Sequence, residues 1–159
     1  MKKIYLGGPL FSEMEASYNK LLANEIRKKL KVEVYNPIEN EAINDKSGYA
    51  DSIMIAEGDN THLEASDILV ALLDGPVVDP GLAAEIGYFY SMNKPIIALY
   101  TDSRQGSFGN QQKIDAIDDI AESQFSYVNL YIVGLIKKRG FVLDSKEKLL
   151  NKLEEILTN

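Results

Sequence analysis

The stretch SDILVALLDGPVVDPGLAAEIGYFYSMNKPIIALY, residues 66–100, decides the fold. Its two ends, SDILVALLD (66–74) and KPIIALY (94–100), are near-continuous apolar runs of the kind found in strands buried on both faces. Between them Asp79-Pro80 marks a helix start: the aspartate accepts hydrogen bonds from the free N–H groups of the first turn, and proline at the first helical position needs no N–H partner. Strand, helix and strand in this order imply a right-handed crossover and a parallel sheet covered on both sides. One residue resists so simple a reading. Glu85 stands in the helix beside Ala83, Ala84, Ile86 and Gly87, whose small side chains leave room for a ligand.

The same alternation extends outward. KIYLGG (3–8) is a short apolar strand ending at two glycines, and residues 12–30 show helical spacing at Tyr18, Leu21, Leu22, Ile26 and Leu30. VEVYNP (32–37) is a strand stopped by Pro37, residues 38–48 read as a polar loop, and 49–65 as a helix. Residues 101–112, TDSRQGSFGNQQ, have no apolar period and read as a mobile loop. Helices are expected at 113–121 and 125–139, the second carrying Lys137, Lys138 and Arg139 at its C-terminus before Gly140, where cations favour the helix dipole. FVL is a short last strand. The closing segment from Asp144 has an apolar face of Leu149, Leu150, Leu153, Ile156 and Leu157, with Asp144 and Glu147 spaced as a capping box. The expected fold is α/β: a flavodoxin-like, doubly wound parallel sheet of about five strands, helices on both faces, extra C-terminal helices, and one domain over residues 1–159.

Composition narrows the function. With 45% apolar and 26% charged residues the chain resembles ordinary soluble proteins, and its net charge of −7 argues against a protein that tracks nucleic-acid phosphates. The absence of cysteine excludes disulfides, thiolate metal sites and a cysteine nucleophile, and a single histidine, His62, excludes a multi-histidine metal site; His62 reads as a surface residue. No apolar run is long enough to span a bilayer, and MKKIYLGGPLF lacks the features of a signal peptide, so a cytoplasmic protein with no metal and no membrane partner is expected.

In doubly wound sheets ligands bind beyond the carboxyl ends of the strands. Asp79 and Glu85 lie there, and the end of the first strand brings Tyr5 and the backbone of Gly7 and Gly8 to the same crevice. A tyrosine hydroxyl can hold a carboxylate in one rotamer. Composition and spacing leave a plainer alternative open: Gly7-Gly8-Pro9 as a turn, Tyr5 as a core aromatic with a wet tip, and Glu85 as a partly exposed helix residue. A dinucleotide site is disfavoured, because GGPLF lacks the GxGxxG spacing and no P-loop lysine follows.

Four stretches together resemble the nucleoside 2-deoxyribosyltransferase family: IYLGGPLF near the start, EGDNTHLEASDILVALLDG in the middle, DPGLAAEIGY as a D-x-G-x-x-x-E-[IL]-G signature, and YVNLYIVG towards the C-terminus. The resemblance covers most of residues 3–134. It implies Glu85 as a nucleophile, Tyr5 as the residue that orients it, and Asp59 as the carboxylate that manages protonation of the base. It further implies Asp79 and Asn129 near the sugar 5′-hydroxyl, Phe11 lining the pocket, and Gly8 and Gly81 as substrate-binding backbone. Asn129 would come from a neighbouring subunit, so a homo-oligomer is implied. The partners would be a 2′-deoxynucleoside and a free nucleobase, with no cofactor and no nucleic-acid polymer. Two other readings compete: an N-glycoside hydrolase of nucleosides or nucleotides using the same site, and a nucleoside-binding module without turnover.

Overall fold

A computed structural model describes residues 1–44 and 47–158 of the chain. Five strands, β1 (Lys3–Gly7), β2 (Glu33–Tyr35), β3 (Ile68–Leu72), β4 (Ile96–Leu99) and β5 (Phe141–Leu143), form one parallel sheet in the order β2-β1-β3-β4-β5. This is the flavodoxin order expected from the sequence. The strand bounds are tighter than the apolar runs suggest, because the flanking residues of each run turn into the connections.

Alternation of side chains divides the core. Ile4, Leu6, Val34, Ile68, Val70, Leu72, Ile97 and Leu99 face α1 (Glu13–Leu30) and α7 (Lys146–Thr158). Tyr5, Leu69, Ala71, Ile96 and Ala98 face α3 (Ser52–Ala65), α4 (Pro80–Ser91) and α6 (Leu130–Arg139). Both faces of the three central strands are thus dry, which is why these strands read as unbroken apolar runs. Between α6 and β5, Gly140 is needed for space: a Cβ there would lie 2.1 Å from the Ile96 carbonyl oxygen.

Several expectations need correction. The polar segment after β2 is not all loop, since a 3₁₀ turn (Pro37–Glu39) and α2 (Glu41–Asn44) fall within it; its residues 45 and 46 lie outside the described residues. The helix expected over 113–121 is only α5 (Gln111–Asp115), because Ile114, Ile117 and Ile120 find no core to pack against and a short helix without a buried face does not propagate. The helix expected from 125 begins at Leu130, where Asn129 caps it. Asp144 and Glu147 form no capping box: Ser145 Oγ accepts the Lys148 N–H at 3.3 Å, and Asp144 pairs with Lys148 at 2.7 Å. A true capping box, Ser12 with Glu15, starts α1 instead. The segment from Thr101 has no regular structure up to Asn110 but is tethered at its start, where Asp74 accepts both the N–H and the hydroxyl of Thr101 at 2.7 Å.

Candidate active site

The site forms where β1 and β3 end beneath the start of α4. Asp79 caps that helix, its Oδ1 accepting the Leu82 N–H at 2.9 Å, and Pro80 occupies the first turn as the sequence foretells. The cap fixes where α4 begins, and one to two turns later Glu85 is delivered, mostly buried, above the end of β1.

Tyr5 comes from β1. Its ring is fully buried, and its hydroxyl donates to Glu85 Oε1 at 2.5 Å, a length typical of a hydrogen bond to a carboxylate. Gly7, two residues on and therefore on the same side of the strand, makes the approach possible. A Cβ at Gly7 would lie 2.6 Å from Glu85 Oε2 and 2.8 Å from Leu82 Cδ1. A methyl there would push aside the ends of the Glu85 and Leu82 side chains.

Asp59 enters from α3 and lies by the same tyrosine. It is half-buried, and its Oδ1 is shielded from solvent without a hydrogen-bond partner. Burial pushes its carboxyl up from the ordinary aspartate range, with the Tyr5 hydroxyl acting in the opposite direction. Glu85 is pushed up to about 7, chiefly by burial and further by the charges of Asp59 and Asp79, while the hydrogen bond from Tyr5 pulls the other way. Tyr5 itself is raised by burial and by Glu85, so it remains a neutral donor. Two carboxyls of elevated pKa on either side of one hydroxyl make a constellation in which one can be held as a base or nucleophile and the other as an acid.

The remaining expected residues divide into two sets. Gly8 is buried at the end of β1, and Gly81 follows the cap, where a Cβ would approach Asp79 Oδ1 to 3.1 Å. Phe11 stands 90% exposed on the connection between β1 and α1. Asn129 is not brought to Glu85 by any hydrogen bond: its Oδ1 caps α6, accepting from the N–H groups of Tyr131 at 3.0 Å and Ile132 at 3.4 Å. Around it Tyr127, Leu130 and Tyr131 are each at least three-quarters exposed.

Two further neighbours, Tyr35 and His62, lie outside the expected site residues. Tyr35, opposite Tyr5 in the β1–β2 register, places its ring 5.2 Å from the Tyr5 ring, and its hydroxyl accepts from Asn40 Nδ2 at 3.0 Å. His62, expected at the surface, is partly covered there and stacks on Tyr35 with ring centres 3.7 Å apart. Burial and Lys3 lower its pKa, so the ring is held neutral. Tyr35, Asn36, Asn40, Glu41 and His62 line a cleft of about 430 Å³ on this side. Among the described residues no group of three or more carboxylate or imidazole side chains is arranged to hold a metal ion.

A family model described as nucleoside 2-deoxyribosyltransferase matches residues 4–153. A protein of Ureaplasma parvum serovar 3, described as uncharacterized, is 33% identical over 141 residues, covering 79% of this chain and 86% of its own. The crystal structure of a conserved protein from Enterococcus faecalis V583 is similar with a TM-score of 0.93 at 54% identity, over 98% of this chain and 99% of that one. A 2-deoxyribosyltransferase from Leishmania mexicana shares the fold with a TM-score of 0.66 at 22% identity, over 98% of both chains.

Proposed function

We propose that this chain, which belongs to the nucleoside 2-deoxyribosyltransferase family, moves 2-deoxyribose from one nucleobase to another through a covalent intermediate on Glu85. The observation that carries the reading is the hydrogen bond from Tyr5 to a largely buried Glu85 at the carboxyl end of the sheet, with Asp59 beside it. In the first half-reaction a Glu85 carboxylate oxygen bonds to the anomeric carbon and the N-glycosidic bond breaks. Its electron pair leaves with the base, which takes a proton from the Asp59 carboxyl. In the second half, a nitrogen of the incoming base attacks the same carbon, the ester to Glu85 breaks, and the proton returns to Asp59. Two displacements retain the configuration, as in retaining glycosidases. A sugar without a 2′-hydroxyl suits this route, since no electron-withdrawing group opposes the oxocarbenium-like transition state.

Asp79 favours nucleosides over nucleotides. A phosphate beside its carboxylate would be repelled by about 4 kcal/mol per charge pair at 4 Å and an effective dielectric near 20. The polar cleft of Asn40, Glu41 and His62 is assigned to the base side, and Phe11 to the cover of the pocket. Asn129, with its Oδ1 spent on the helix cap, has its amide N–H groups left to serve the sugar hydroxyl of a neighbouring copy. The exposed apolar rim of Tyr127, Leu130 and Tyr131 supports association there.

The test is chromatography of deoxyinosine incubated with the protein, with and without adenine. Deoxyadenosine formed only with adenine, and little free sugar, supports transfer. Free deoxyribose released at the same rate in both makes the protein a hydrolase. Binding of nucleoside without any cleavage leaves a binding module.

A further inference from the structure

The connection from β1 to α1 follows directly on Gly7, the residue packed against Glu85, and carries Phe11, yet it has no regular structure between Gly8 and the start of the helix. It is fixed at three points. Gly8 packs so close that a Cβ would lie 2.8 Å from Leu72 Cβ, and the Ser12–Glu15 capping box secures the other end. The third point is Asn19, in the middle of α1 and only 2% exposed. Its Nδ2 donates to the Pro9 carbonyl at 2.7 Å and to the Glu15 carbonyl at 2.9 Å.

A buried asparagine inside a helix is unfavourable on two counts: its helix propensity is low, and its amide loses water. The neighbouring buried positions of α1, Leu22, Ala23 and Ile26, are apolar as a core requires. The bond to Glu15 is local to the helix and needs no buried side chain. The bond to Pro9 reaches ten residues back and holds the connection at its centre. With Gly7 already pressed against Glu85, a shift of Pro9 would be felt at the carboxylate and at Phe11.

We infer that Asn19 is a positioning residue: by holding Pro9 it keeps the β1–α1 connection closed beside Glu85, and so sets how the glycosyl-enzyme divides between an incoming nucleobase and water. The inference rests on the transfer reading given above. Transfer requires that water, at a high concentration, be kept out while the base is held in near-attack geometry, and a loosened connection fails at both.

The experiment compares wild type with Asn19→Leu, which keeps the bulk but has no donor, and Asn19→Asp, which keeps the shape but turns a carboxylate towards two carbonyl oxygens. Deoxyinosine is supplied with adenine, and free deoxyribose is measured against deoxyadenosine formed. This ratio is independent of how much of a variant is folded, so partial misfolding does not obscure it. The expected result is a ratio raised by about tenfold or more in both variants, with a raised KM for deoxyinosine and a smaller change in kcat. A ratio and KM within about twofold of wild type in both would overturn the inference while leaving the transfer reading intact. If wild type neither transfers nor hydrolyses any deoxynucleoside, both fall, since there is no intermediate to divide.

Discussion

Tyr5 and Glu85, 80 residues apart in sequence, meet through a 2.5 Å hydrogen bond that joins strand β1 to helix α4. The hydroxyl stabilises the ionised carboxylate, and burial opposes it. Removing the hydroxyl therefore drives Glu85 further above about 7 and leaves less of the carboxylate that the proposed mechanism uses at neutral pH. For Tyr5→Phe the rate is expected to fall by about 10–100-fold, the value of a hydrogen bond to a charged group. The acidic limb of the pH–rate profile should move to higher pH. A profile whose limb stays in place, or moves down, would contradict this account.

Glu85→Gln should abolish transfer and yet stabilise the fold above neutrality. The folded pKa of about 7 lies above the ordinary 4.5, so the contribution of Glu85 to stability is fully present below pH 4.5 and is lost as pH rises through 7. The loss amounts to about 3 kcal/mol. Glutamine has no such loss. Urea unfolding at pH 8 should show the variant to be more stable by up to that amount, and the difference should vanish near pH 4.5.

Gly7→Ala tests the close approach of β1 and α4. The new methyl would meet Glu85 Oε2 and Leu82 Cδ1 inside contact distance, so the carboxylate and the Leu82 side chain must shift. Thermal or urea unfolding is expected to report a loss of about 1–3 kcal/mol, the usual cost of overpacking. Turnover should fall by about 100-fold, since a misplacement of about 1 Å has that effect. Wild-type turnover in a folded variant would show that the carboxylate need not sit where it does.

Two roles of Asn129 can be tested apart, the observed helix cap and the proposed contact of its amide with a sugar hydroxyl. Asn129→Ala removes the helix cap, at about 1 kcal/mol, together with the amide; Asn129→Ser keeps a capping oxygen and removes only the amide. Equal losses of activity in both, with near-wild-type stability in the serine variant, would assign the activity to the amide. Mixing Glu85→Ala with Asn129→Ala protein should then restore turnover in mixed oligomers. No recovery under demonstrated subunit exchange would place Asn129 outside any shared site.

The strands and the larger helices were legible because burial on both faces leaves uninterrupted apolar runs such as ILVAL and IIAL, and because Asp79-Pro80 is an unambiguous start. The spacing of Ile114, Ile117 and Ile120 imitates a helix, and only the fold reveals that none of them reaches the core; Ile120 is 98% exposed. Of the candidate carboxylates, Asp79 and Glu85 stood out by their neighbours, while Asp59 was pointed to by the family resemblance alone. The fit of Gly7 to Glu85 could not, since it depends on the height at which a helix crosses a strand. Nor could the Tyr35–His62 stack, which joins an edge strand to a helix whose sequence gives no hint of aromatic company.

The strands at the two margins of the sheet, β2 and β5, are three residues long, and β5 runs directly into Asp144. So short a margin offers few unpaired N–H and C=O groups to a foreign strand. Folded chains at high concentration therefore have little to gain from adding sheet to sheet. A sheet so bounded leaves encounters between copies chiefly to side chains, which are selective in a way that open backbone is not.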